Sequence, residues 1–405
     1  MNNEPKRFLL ISPDFPPPFV GGSLVYLNNL VGNCPERFDV LTSPKDEKYD
    51  EVFRGPNRVF RSRLIKDSHD PNKFQLLMTY IYMPIWLIIM NFRENYGAVL
   101  VNPGIIGNSI LFIVGKIFRI KVIGIGHGEE ITVPLYGKGL KNVIRRFIMR
   151  NFYKYASGFV VVCHFCRRLL IDLEVDGNTI DVIPSCLNPN KIKSNPNKQS
   201  FNFNIISVGR LIERKGFHFL VEAVSRLRKD FPEIHLEIVG DGPFRKKIEE
   251  KIKETDSESY INVNGQITDE ELVSLYQKSS LFVLAHTLLE NGDTEGCPTV
   301  FSEAMGHGLP VIGGTGAGAD TAIIEGKNGY IVNTQNIDHL EDAIRKILEN
   351  PDLAKSMTEF GREKLARDHD PKKNGLALQK TIYRIINGED ASGYQKEFNE
   401  MTAEI

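Results

Sequence analysis

A chain of 405 residues is longer than one hydrophobic core usually serves, so length alone predicts two domains. With 41% hydrophobic and 25% charged residues and a net charge of −1, the composition excludes a disordered chain and a strongly basic nucleic-acid binder, and no nucleic-acid partner is expected. The near-neutral total conceals a split, since residues 1–190 carry 23 Lys and Arg against 17 Asp and Glu and the remainder carries 27 against 34.

Taken in chain order, Lys6 and Arg7 are followed by too short an apolar run for a secretory signal. Five cysteines, an odd number at irregular spacings, argue for a reducing compartment, so a cytoplasmic location is expected. Short apolar runs at Phe8–Ile11, Phe38–Leu41, Ala98–Val101, Lys121–Ile125, Gly158–Val162 and Asp181–Ile183 read as strands alternating with helical patterns. The first is followed by Pro16-Pro17-Pro18-Phe19-Val20-Gly21-Gly22-Ser23 before a helix expected from Leu24. Glycines there let backbone approach a phosphate or sugar, and the spacing does not fit the dinucleotide fingerprint of nicotinamide enzymes. Leu76–Met90 is apolar but short of the roughly 20 residues of a membrane span and contains Pro84, which predicts a buried helix. His127 stands between two glycines at a strand's carboxyl end, with Glu129 and Glu130 beside it. Residues 138–154, KGLKNVIRRFIMRNFYK, set Lys141, Arg145, Arg146, Arg150 and Lys154 among apolar residues at helical spacing. Such a helix either packs on its domain with its charges solvated or lies on an anionic membrane surface. Cys163-His164-Phe165-Cys166 has a redox or zinc spacing, but without a second cysteine pair it reads as a strand end entering a helix.

Asn188–Ser200, polar and aperiodic with Pro189 and Pro196, reads as a linker. A second set of strands is expected at Asn204–Val208, His235–Val239, Ile261–Asn264, Leu281–Leu284, Pro310–Ile312 and Gly329–Val332. The order implies two doubly wound sheets with a cleft between them, and ligands beyond the carboxyl ends of the strands. At one such end lie Gly209, Arg210 and, in Glu213-Arg214-Lys215-Gly216, Lys215. A planar guanidinium and a mobile ammonium there complement a diphosphate. Gly240-Asp241-Gly242-Pro243 and Asn264-Gly265-Gln266-Ile267 are turn signals at the next two strand ends. Glu295 and Glu303 stand eight residues apart, with Pro298 between them placed to begin a helix. Glu295 is then a loop carboxylate, Glu303 lies inside the helix, and Thr299, Val300 and Phe301 present unpaired N–H groups to an anionic ligand. Gly313–Asp320 falls too late in its domain for a dinucleotide fingerprint and reads as a strand-to-helix loop. The pattern breaks at Asp370-Pro371, a helix is expected over Leu376–Ile386, and residues 388–405 are polar.

Glu295, Glu303, Ala304, Met305, Gly308 and Pro310, with Arg210, Lys215 and Gly216, resemble the signature of the family 4 retaining glycosyltransferases, known also as glycosyl transferases group 1. The resemblance implies the GT-B fold, an α/β architecture of two facing Rossmann-like domains with an interdomain cleft. It places the acceptor-binding domain at 1–195, the nucleotide-sugar domain at 196–372, a helix crossing back to the first domain at 373–390, and a polar tail at 391–405. It implies that Arg210 and Lys215 hold the donor diphosphate, that Glu295 lies beside the donor sugar and that Glu303 binds ribose hydroxyls. Gly22 and Gly209 are then expected near the phosphates, Ile267 near the base, Thr299 and Val300 at the nucleotide, His127 against the donor sugar and Glu129 towards the acceptor. The implied reaction moves a hexose from a nucleotide-diphosphate sugar, with retention and without metal or other cofactor, to a glycan or lipid-linked acceptor in polysaccharide or glycolipid synthesis. Asp293-Thr294-Glu295-Gly296 is similar to mannosyl-transferring members and points to GDP-mannose. A sugar-nucleotide epimerase or hydrolase of the same architecture, and a non-catalytic nucleotide-sugar binder, stand as alternatives. Related enzymes act on lipid-bound acceptors, which favours peripheral attachment to the inner membrane face through residues 138–154.

Overall fold

Phe8 to Ile11, Ala98 to Val101 and Leu281 to Leu284 are buried without interruption, as strands covered by helices on both faces require. The structure is a computed structural model that describes residues 7–15, 22–44, 58–66, 73–102, 104–186 and 201–389. It divides into two units, Met1–Cys186 with Pro371–Ile405, and Leu187–Asp370. The expected linker and the loop at 16–21 lie outside the described residues.

The first unit holds β1 (Arg7–Ile11), β2 (Arg37–Thr42), β3 (Val59–Arg61), β4 (Ala98–Val101), β5 (Val122–Gly126), β6 (Gly158–Val161) and β7 (Ile180–Val182). They form one parallel sheet in the order β3-β2-β1-β4-β5-β6-β7. Its helices are α1 (Gly22–Gly32), α2 (Lys73–Glu94), α3 (Gly104–Phe118), α4 (Glu129–Tyr136), α5 (Leu140–Phe152) and α6 (His164–Asp172). Cys163 accepts the Cys166 N–H as the cap of α6, so this cysteine pair stands where a strand hands over to a helix.

The second unit holds β8 (Asn204–Val208), β9 (His235–Val239), β10 (Ile261–Val263), β11 (Leu281–Leu284), β12 (Val311–Gly314) and β13 (Gly329–Val332), parallel in the order β10-β9-β8-β11-β12-β13. Its helices are α7 (Phe217–Leu227), α8 (Arg245–Glu254), α9 (Asp269–Lys278), α10 (Thr299–Gly306), α11 (Ala319–Ala322), α12 (Ile337–Leu348) and α13 (Pro351–Asp368). Side chains cap the starts of two of these helices: Thr268 and Glu271 form a reciprocal capping box on α9, and Asn350 caps α13 just ahead of Pro351. In both sheets the chain winds outward in one direction and then returns to wind in the other, which places switch points between β1 and β4 and between β8 and β11. The carboxyl ends of those strands are where an open α/β sheet binds ligands.

The last helix, α14 (Pro371–Asn387), packs on α1 and β6 in the first unit. Asn374 donates to the Pro184 carbonyl at 2.7 Å, Gln379 and Tyr383 donate to Glu36 at 2.7 and 2.9 Å, and Arg384 pairs with buried Asp181 at 2.7 Å. Sequence and structure part company at α2, expected to be buried. Only Thr79, Met83 and Leu87 are fully covered along its length.

Candidate active site

β8 ends at Val208, and the chain then needs room that only glycine gives. A Cβ on Gly240, at φ +133°, would lie 2.0 Å from the Gly209 carbonyl oxygen, so the loops after β8 and β9 touch backbone to backbone. Glu213–Lys215 forms a single 3-10 turn, closed by Gly216 in the left-handed region at φ +67°. A Cβ there would stand 1.8 Å from the Ala285 carbonyl oxygen, so glycine lets this turn press against the end of β11.

That approach brings Lys215 to Glu295. Lys215 Nζ lies 2.9 Å from Glu295 Oε2, Arg214 Nε donates to Glu295 Oε1 at 2.7 Å, and Arg214 Nη1 reaches Asp293 at 3.0 Å. Lys215 and Glu295 are both buried. Burial alone would raise the Glu295 pKa, but the charges of Lys215 and Arg214 outweigh it and bring the carboxyl down to about 2. Glu295 is therefore a fixed anion, and with only one contact on each oxygen it keeps lone pairs for further donors. Its backbone is held as well: the Gly318 N–H donates to the Glu295 carbonyl at 3.2 Å, and Thr294 Oγ1 donates to Thr287 O and Gly316 O.

The two cations assigned from sequence have different surroundings. Lys215 pairs with Glu295, and Arg214, which sequence reasoning passed over, is its second cation. Arg210 is exposed and makes no ion pair with another described residue. Gly209 lies between this arginine and β8 and donates to the Val239 carbonyl at 2.9 Å. Buried His286, two residues past β11, was also missed, although a histidine at a strand's carboxyl end was the signal used for His127. Its pKa falls to about 4, first through burial, with Glu295 raising it and Lys215 lowering it, which locates the ring beside the ion cluster. Its Nε2 is buried with no hydrogen-bond partner.

The helix carrying Glu303 begins at Thr299, with Pro298 as the residue before it, one position later than the sequence suggests. No side chain caps it, so Thr299 and Val300 keep the uncapped N–H groups of a first helical turn. Phe301 does not, because its N–H is taken by the Pro298 carbonyl at 3.3 Å. Glu303 is half-buried in the second turn and acts on the Tyr276 hydroxyl, whose pKa burial and then Glu303 push well up. Ile267 is half-buried before α9 and packs on the core.

In the first unit His127 follows β5. Its Nε2 lies 3.2 Å from Asn102 Nδ2 at the end of β4, and the ring meets Tyr26 edge-on at 5.3 Å. Burial lowers its pKa, with Glu130 raising it, so the imidazole is held neutral near pH 7. Glu130 Oε1 accepts the His127 N–H and, at 3.2 Å, the Gly128 N–H, a positioning role that sequence reasoning left unassigned. Gly22 is the first residue of α1, which starts two residues ahead of the expected Leu24. The Glu129 side chain lies outside the described ones.

Residues 189–364 match the family described as glycosyl transferases group 1. The chain is 23% identical over 374 residues to the GDP-mannose-dependent alpha-(1-6)-phosphatidylinositol monomannoside mannosyltransferase of Mycolicibacterium smegmatis, covering 87% of this chain and 92% of that protein. It is similar in structure to the sucrose-phosphate synthase of Thermosynechococcus elongatus, with a TM-score of 0.73 and 19% identity over 95% of this chain and 100% of that one. It is also similar to Anabaena HepE solved with UDP, with a TM-score of 0.70 and 18% identity over 93% and 99% of the two chains. The second unit thus carries the match to the glycosyl transferases group 1, and the two doubly wound α/β units are those of the GT-B fold.

Proposed function

We propose that this glycosyltransferase moves a hexose from a nucleotide-diphosphate sugar to a glycan or lipid-linked acceptor, with retention of configuration and without a metal. The observation that carries this reading is the buried Glu295–Lys215–Arg214 cluster at the β8/β11 switch point, with Arg210, which has no ion pair with a described residue, on the same loop. Arg210 and Lys215 supply positive charge for the departing diphosphate, and the N–H groups of Thr299 and Val300 add a helix dipole. Such groups need little reorganisation as charge develops on the leaving group. Glu295, kept ionised, accepts hydroxyls of the donor sugar, and Glu303 accepts those of the ribose. A carboxylate locked between two cations with a pKa near 2 is a poor nucleophile, which favours acceptor attack on the face the leaving group departs from over a covalent glycosyl–enzyme intermediate. His127, neutral and held by Asn102, donates to or accepts from the sugar, and Glu129 serves the acceptor.

The name of the Mycolicibacterium relative supports GDP-mannose as donor and a lipid as acceptor, as does Asp293-Thr294-Glu295-Gly296. Basic α5 supports a peripheral seat on an anionic membrane. Its Lys141, Arg145 and Arg150 make no ion pair with a described residue, whereas Arg146 donates to the Leu135 carbonyl at 2.8 Å and belongs to the fold.

The test is incubation with a panel of nucleotide sugars, with and without a lipid-linked acceptor extract, reading released nucleoside diphosphate. Release from one donor that depends on the extract is expected. Release without any acceptor would mean a hydrolase or epimerase, and binding without release would mean a nucleotide-sugar binder.

A further inference from the structure

Between Lys73 and Arg93, α2 has no charged residue. Thr79, Met83 and Leu87 bury one stripe, and Thr79 Oγ1 ties the helix down by accepting the Lys66 N–H at 3.1 Å. At about 100° per residue, positions two away from these fall on the opposite side of the helix. That side carries Phe74, Leu77, Ile81, Ile85, Ile89 and Phe92, all exposed, from 47% at Ile81 and Ile89 to 78% at Phe92. A continuous apolar strip along about five helical turns is more than a soluble surface ordinarily shows.

The strip has neighbours of a particular kind. α3 packs against both α2 and α5, and the Arg145 charge on α5 reaches the Tyr80 hydroxyl on α2, lowering a pKa that burial raises. On α5, Leu140, Val143, Ile144 and Phe147 are exposed in the same manner. Lys141, Arg145 and Arg150 stand among them, and neither α3 nor α5 contains an Asp or Glu. Past the end of α5 the cations continue around a cavity of about 780 Å³ lined by Lys116, Arg119, Lys121 and Lys154. None of these is ion-paired with a described residue, and they outnumber the two carboxylates of the cavity wall, Asp176 and Glu389.

We propose that α2 is an insertion edge, lying flat in the interface of an anionic membrane, with α5 and the adjoining basic cavity holding the lipid phosphates. The proposal rests on the membrane reading of α5 and adds the apolar half that reading lacks. Charge decides the occupant. Two copies of the chain paired by a two-fold through this face would bring their cationic rims together, whereas an anionic bilayer offers acyl chains to the strip and phosphates to the rim. Because Thr79, Met83 and Leu87 stay in the fold, α2 seats along the surface and does not cross it.

Co-sedimentation of the full chain with vesicles tests this, using phosphatidylcholine alone and an equal mixture with phosphatidylglycerol, at low and high salt. Trp86, the single tryptophan, lies on α2 and reports depth through quenching by brominated acyl chains. The wild type should pellet with the anionic vesicles and Trp86 should be quenched. Leu77→Gln with Ile81→Gln and Ile85→Gln should weaken partitioning at least about tenfold and abolish quenching, with nucleotide binding unchanged. Arg145→Gln with Arg150→Gln should weaken it at low salt and remove most of its salt dependence. If the triple α2 variant pellets as well as the wild type and Trp86 is never quenched, while the arginine variant is released, this inference fails and the α5 reading stands. If the wild type pellets with neither vesicle, both fail; a dimer dissociated by the α2 substitutions would then identify a second copy as the occupant.

Discussion

The charge on Glu295 is set by its two cations, and stability should report it. The folded carboxyl sits at about 2 against an ordinary 4.5. A carboxyl depressed on folding contributes stability that is fully present above pH 4.5 and is lost as pH falls from there towards 2. Glu295→Gln should therefore unfold at a lower temperature than the wild type at pH 7, by on the order of 3 kcal/mol. The gap should narrow in thermal melts taken downward from pH 4.5, and a gap constant with pH would show that the ion pairs do not set it. Arg210 makes the opposite kind of prediction, because it is exposed and holds no other described residue in place. Arg210→Ala should melt as the wild type does yet bind nucleoside diphosphate roughly 10- to 100-fold more weakly by calorimetry, the loss of one charge-assisted hydrogen bond. Unchanged affinity would remove Arg210 from the diphosphate.

At the scale of elements, the strands of both sheets were legible because burial on two faces leaves uninterrupted apolar runs. β3 was not, since Val59-Phe60-Arg61 is three residues long and half-buried at the sheet edge. The α2 reading failed for a different reason: an apolar helix shows in sequence, but whether protein covers its second stripe does not. The ion cluster was half legible. Glu295 and Lys215 could be read from their motifs, yet which arginine joins them depends on a one-turn 3-10 helix and on Gly216 letting it meet β11. Phe301 was counted among the free N–H groups because an ideal helix start leaves it free, whereas the tight turn at Pro298 satisfies it locally.

Across the whole molecule, the charge split of the sequence falls on different tasks. The basic half carries the exposed apolar face of α2 and the cations of α5, and the acidic half sets Arg210, Arg214 and Lys215 at one strand end, where Glu295 and Asp293 pair with Lys215 and Arg214 and Arg210 has no ion pair with a described residue. In the proposed reaction Glu295 holds the sugar, while binding of the nucleotide rests on the cations and Glu303. Nucleoside diphosphate affinity and acceptor-dependent turnover, measured on the same preparation of Glu295→Gln, separate the two roles. Affinity should stay within about threefold of wild type while turnover falls by at least about 100-fold; turnover equal to wild type, or a loss confined to nucleotide affinity, would remove Glu295 from the sugar.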